Sequence, residues 1–131
     1  MSADYDLPGS VTFSVLRPSA SVSSNSNTIN FDLSPYQGAA AIVLNAGGNT
    51  AGDDANTKLV AAIYDSADNS TYAAISGATF TNVTNANSFQ VYSLDTRVAR
   101  RYMRVVMTVL GTNSAFPVGL SIAAQKQYNP S

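Results

Sequence analysis

The chain has no cysteine, no histidine and no tryptophan, and because glutamate is absent all eight acidic residues are aspartate. Without sulfur or imidazole there is no disulfide, no zinc or copper site built on those ligands, and no histidine base for a nucleophilic triad. Charge is scarce too. Seven Lys and Arg against eight Asp leave a net charge of -1, and charged residues make up 11% of the chain, well under the roughly 25% of an average soluble protein. No excess of either sign draws the chain to nucleic acid or to a membrane. No apolar run nears the roughly 20 residues that a membrane helix requires. Residues 1–10 carry two aspartates, a proline and a glycine, not the positive start and apolar stretch of a secretion signal, so the expectation is a native cytoplasmic start.

What is present points to strands. Glutamate is missing, lysine occurs only twice, and Ser, Thr, Asn and Val are abundant, which disfavours helix throughout. Apolar residues recur mostly at spacing two. Val11, Phe13 and Val15 alternate with Thr12 and Ser14, and Ile29, Phe31 and Leu33 alternate with Asn30 and Asp32, each set reading as a strand with one wet face. Residues 39–46 and 58–65 are apolar on both parities, as expected of strands covered on both sides by a second sheet or a neighbouring subunit. Further strands are expected over residues 72–75, 88–94, 101–110 and 118–125, the last with Val118, Leu120, Ile122 and Ala124 on one side. Turn residues mark the gaps at Arg17-Pro18, Ser34-Pro35, Gly47-Gly48, Gly52-Asp53-Asp54, Asp68-Asn69, Ser76-Gly77 and Gly111-Thr112-Asn113. Residues 19–27, rich in Ser and Asn, read as a solvated connector. At 131 residues and 45% hydrophobic content the chain supports one core. The expected organisation is a single all-β domain over residues 11–125, an antiparallel, jelly-roll-like β-sandwich of about eight strands. An N-terminal arm (residues 1–10) and a C-terminal tail (residues 126–131) flank it.

Four features bear on function. Arg97, Arg100, Arg101 and Arg104 hold four of the seven positive charges. On a regular strand Arg100, Tyr102 and Arg104 share one face, while Met103, Val105, Met107 and Val109 share the other and form core. That ridge either meets a protein partner, as Arg and Tyr often do, or pairs with aspartates of an adjacent strand, Asp95 or Asp65 for example. The long loop over residues 47–57 places Asp53 and Asp54 near Asn49 and Asn56, but lacks the ligand spacing of an EF-hand, so no metal is assigned. The run from Asp65 to Tyr72 is explained by an Asp-Asn turn. The polar, proline-bearing ends read either as frayed tails or, for the segment Tyr5-Asp6-Leu7-Pro8, as an extended arm lying on a neighbouring subunit. No phosphate-cradling or dinucleotide motif occurs, Lys58 and Lys126 sit in no recognisable motif, and Asp53 and Asp54 have nothing apolar beside them to raise a pKa. The expectation is no catalysis and no cofactor.

The run Ala62-Ile63-Tyr64-Asp65-Ser66-Ala67-Asp68-Asn69-Ser70-Thr71-Tyr72, then residues 75–80, Leu94-Asp95-Thr96-Arg97 and Arg100-Arg101-Tyr102-Met103-Arg104-Val105, resembles small structural proteins of tailed bacteriophages, whose genes lie near that of the major capsid protein. The resemblance spans residues 58–109, and Gln125-Lys126-Gln127-Tyr128 fits it. It implies a capsid decoration or cement protein with no enzymatic activity. Such a protein, made in the bacterial cytoplasm, sits on the virion surface, assembles as a homotrimer or homodimer, and clamps neighbouring major capsid protein subunits. Its contact residues would include Arg97, Arg100, Tyr102, Arg104, Tyr5, Leu7 and Pro8. Similar turn and Arg-Tyr patterns occur in discoidin-like jelly-roll modules. The alternatives are therefore a glycan-binding module for host attachment, with Tyr36, Tyr64, Tyr72 and Tyr128 as candidates, or a neck or tail component.

Overall fold

A computed structural model describes residues 11–51 and 56–126. These residues form nine strands and no helix, in two antiparallel sheets. The strands are β1 (Val11–Val22), β2 (Ser26–Asn27), β3 (Phe31–Asp32), β4 (Tyr36–Ala46), β5 (Lys58–Ser66), β6 (Ala73–Thr79), β7 (Ser88–Asp95), β8 (Tyr102–Leu110) and β9 (Phe116–Lys126). Sheet A runs β1-β9-β4-β7. Sheet B runs β2-β8-β5-β6, with β3 also on β8. β2 and β3 are two halves of one broken strand: between them the Thr28 amide donates to Val105 O at 3.0 Å, and Val105 N donates to the Thr28 hydroxyl at 2.9 Å. Counted that way the sandwich has eight strands, and the chain crosses repeatedly from sheet to sheet, as a jelly roll does.

The inner rows carry the core. Ile42 and Leu44 of β4 and Val118, Leu120 and Ile122 of β9 face Leu59 and Ile63 of β5 and Met103, Val105 and Met107 of β8, all fully buried. β8 and β9 thus alternate with the parity expected from their sequences. Burial on this scale is the source of stability in a chain with no disulfide, each buried aliphatic side chain contributing roughly 1.5–3 kcal/mol before entropy is subtracted.

Four local expectations are corrected. Arg17-Pro18 is no turn. β1 continues through it to Val22, and its register against β9 shifts between Val15 and Arg17 and again between Arg17 and Ala20. Proline fits there because β1 is an edge strand among the described residues. Residues 19–27 are mostly not a loop, since 19–22 complete β1 and Ser26–Asn27 is β2. Ser76-Gly77 lies within β6, where Gly77 has φ +79° and the pairing with β5 jumps from Ala62↔Thr79 to Tyr64↔Ala74. Finally, Thr12 and Ser14 pair with the buried Ala124 and Ile122, which turns Phe13 and Val15 outward. The N-terminal arm, the tail from residue 127 and residues 52–55, including Asp53 and Asp54, lie outside the described residues.

Two glycines with positive φ separate backbone strain from crowding. A Cβ at Gly77 (φ +79°) meets nothing within 4 Å, whereas one at Gly111 (φ +94°) falls 2.8 Å from Thr57 Cα and 3.1 Å from Asn56 O. Gly77→Ala is expected to cost about 1 kcal/mol of left-handed strain, and Gly111→Ala about 3 kcal/mol because backbone must also move. Urea unfolding of both variants checks this; equal losses would contradict it.

Candidate interaction surface

The arginine cluster is largely consumed within the chain. Arg97 follows the end of β7 and pairs with Asp95 at 3.2 Å, its side chain 80% exposed. Arg100 sits just before β8, outside the strand's alternation. Its Nε and Nη2 reach Asp65 Oδ1 at 3.0 and 2.8 Å, Nη2 reaches the Asp65 carbonyl at 3.0 Å, and its amide donates to Asp65 Oδ2 at 2.9 Å. Asp65 lies on the inner parity of β5 with Leu59, Ala61 and Ile63, so Arg100 closes the end of the sandwich and does not share a face with Tyr102 and Arg104. The expected three-residue ridge is corrected to two. Arg101 grips Asp32 through Nε at 3.1 Å and Nη2 at 3.0 Å and lies 4.9 Å over the Tyr102 ring.

Arg104 does stand on the outer face of sheet B. Its register partner on β5 is Tyr64, its Cζ is 4.1 Å from the centre of the Tyr72 ring, and its buried Nε has no hydrogen-bond partner among the described residues. Of the tyrosines named as sugar platforms, Tyr72 is capped by this guanidinium, Tyr36 stacks on Phe31 at 5.5 Å, and Tyr128 lies outside the described residues, as do Tyr5, Leu7 and Pro8. Asn49 is spent on the loop backbone, donating to Asn113 O and accepting from Ala51 N and Ala115 N. Among the described residues no three His, Cys, Asp or Glu side chains gather to hold a metal, and no helix is long and apolar enough to cross a membrane.

Among the described residues the exposed large apolar side chains gather mainly on the outer face of sheet A. Three rows cross its strands: Phe13-Ala123-Ala41-Ser93, Val15-Ser121-Val43-Val91, and Gly119-Asn45-Phe89. None contains a charge. Phe13 is 77% exposed, Phe89 69%, and Val15 and Val91 57% each. Four of the seven large apolar side chains left exposed among the described residues therefore share one face, while Ile29, Val98 and Leu110 are scattered. With neighbouring strands about 4.8 Å apart, the ridges on β1 and β7 stand roughly 14 Å from each other. Small side chains floor the trough between them. It opens into a groove of about 500 Å³ lined by Val15, Pro18, Val43, Phe89 and Gly119, with Arg17 as the charged residue of the lining.

No protein-family model matches the chain, and no curated protein matches it in sequence. The reading of this surface therefore stands on its chemistry. Interface cores are depleted of charge and enriched in aromatic and aliphatic groups, and contiguous apolar patches on a soluble fold mark binding sites. These residues were missed because alternation in β1 and β7 reveals two faces without saying which is inside. Leu16, directly after Val15, is the one local sign, since it can be buried only if Val15 is not.

Arg100→Ala leaves the nearly buried Asp65 carboxylate without its main partner and is expected to cost about 2 kcal/mol, discounted from a fully buried pair because Arg100 is half exposed. Arg97→Ala should change stability by less than about 0.5 kcal/mol; comparable losses in urea would contradict this contrast. The carboxyl of Asp32 is held down at about 2 by the Arg101 guanidinium, and that of Asp68 at about 2 by the amides of Thr71 and Ser70 and the Ser66 hydroxyl. Both lie below the ordinary 3.8, so their contribution is complete above that value and lost as pH falls toward 2. The urea midpoint should hold from neutral pH to about 4.5 and drop below it, with a shallower drop in Asp32→Asn and Asp68→Asn. An identical drop in both variants would contradict the assignment.

Proposed function

We propose that the chain is a non-enzymatic virion protein that binds the outer surface of a bacteriophage capsid and clamps neighbouring major capsid protein subunits, with the outer face of sheet A as its contact surface. The observation that carries this reading is the uncharged three-row face with Phe13, Val15, Phe89 and Val91 left in solvent. A chain lacking histidine and cysteine, with three of its clustered arginines tied to aspartates, has little to offer a substrate and much to offer a protein surface. The phage resemblance over residues 58–109 supplies the partner. The jelly-roll topology does not decide the matter, because shell proteins and lectins both use it.

The area sets the mode of attachment. The face presents on the order of 400 Å², half of the roughly 800 Å² that each partner contributes to a standard interface. One copy alone holds weakly. Attachment of several linked copies to one shell makes later contacts intramolecular and the whole long-lived. A glycan-binding role in host attachment is less well supported, since Tyr72 and Tyr36 already have ring partners and the sheet A groove is lined mainly by aliphatic and small side chains.

Purified parent particles should carry the chain in near-stoichiometric ratio to the major capsid protein. Phe89→Ser should weaken rebinding to depleted particles by about tenfold or more, as expected for one aromatic side chain kept out of an interface, with an unchanged melting temperature. Absence from particles, or rebinding unaffected by the substitution, would overturn the proposal. A few copies per particle would move the chain to the neck or tail.

A further inference from the structure

A sheet edge is an adhesive surface unless something blunts it, and natural edges are blunted by shortness, bulges, proline or charge. Three of the four edges here carry such devices. β1 has two register shifts together with Arg17 and Pro18. β6 is broken by the bulge at Gly77. β2 and β3 are two residues each. β7 has none of them. All eight of its residues pair with Ala39 to Ala46 of β4 in unbroken register, and it contains no proline, no lysine, no arginine and no charge before Asp95. Among the described residues no backbone hydrogen bond outside the β4 ladder involves residues 88–94. The connection from β6 passes close by without adding a strand: the Thr81 amide and carbonyl are both bonded to the side-chain amide of Gln90, at 2.7 and 2.9 Å.

We propose that a second copy of this chain joins along the open edge of β7, antiparallel to it, so that the two sheets A form one continuous eight-stranded sheet. The strand is suited to pair with itself. With Val91 on the two-fold axis, Phe89 stands opposite Ser93 of the second copy, Gln90 opposite Tyr92, and Asp95 opposite Asn87, so no like charges meet. The exposed Phe89 and Val91 then lie at the seam, and the two apolar outer faces merge into one surface of about 800 Å². This pairing does not rest on the capsid reading. It would supply the linked copies which that reading requires.

The chain contains no cysteine, so single introduced thiols report on the contact. Val91 and Val15 have the same 57% exposure and stand at opposite edges of sheet A, which makes them a matched pair. The wild-type chain should sediment as a dimer, Val91→Cys should be joined to its neighbour by a short bis-maleimide while Val15→Cys is not, and Val91→Lys should sediment as a single chain that keeps the wild-type circular dichroism spectrum and melts somewhat lower, as loss of a partner requires. A wild-type chain that stays single at about 100 μM, or Val15→Cys crosslinking as readily as Val91→Cys, would overturn the inference, the second result indicating face-to-face association. A wild-type chain that stays single yet rebinds depleted particles sinks this inference alone. A dimer with no affinity for particles sinks the capsid reading alone.

Discussion

A β-strand has two faces, and a sandwich of two sheets can bury only one of each. In this chain that constraint leaves apolar surface over. β4 spends Ala40, Ile42, Leu44 and Ala46 on the core and presents Ala41 and Val43 outward. β7 buries Leu94 and turns out Phe89 and Val91. β1 buries Leu16 and Val22 and turns out Phe13 and Val15. Polar residues on those outer positions would cost the core nothing, because the core touches none of them. Their apolar character is consistent with a second burial, made against another polypeptide.

The few charges do a different task. Asp32, Asp65 and Asp95 each receive an arginine from the segment connecting β7 to β8, which ties that connection to the end of β5 and to β3. Asp68 receives the amides of its own turn. Such contacts fix where strands start and stop. They leave Arg104, stacked on Tyr72 beside Tyr64, as the arginine of the cluster without an ion pair among the described residues. On the proposed reading, partner recognition falls mainly to shape and apolar contact on sheet A.

Much of the fold was legible in the sequence. The missing helix formers and the spacing of two located eight strands, and the inner rows of β8 and β9 were assigned with the right parity. Asp65 and Asp95 were recognised as possible partners for the arginines, and the structure uses both. Other features needed three dimensions. Alternation in Val11, Phe13 and Val15 cannot reveal which parity is inside; that was set by pairing with β9, where Thr12 and Ser14 meet Ala124 and Ile122. Arg17-Pro18 and Ser76-Gly77 look like turns locally, yet on edge strands the same residues make bulges. Arg100 left its expected face because β8 begins only at Tyr102, and the nearly buried Asp65 carboxylate accepts more from it than solvent would offer.

On the proposed reading, the outer face of sheet A meets the capsid. Hydroxyl-radical footprinting of the chain, free and bound to its parent particle, tests it most directly, because Phe13 and Phe89 are reactive side chains standing in solvent. Strong labelling of both when free and protection of both when bound is the predicted result. Unchanged labelling of both, with protection confined to Tyr64, Tyr72 and Tyr102 on sheet B, would contradict the account.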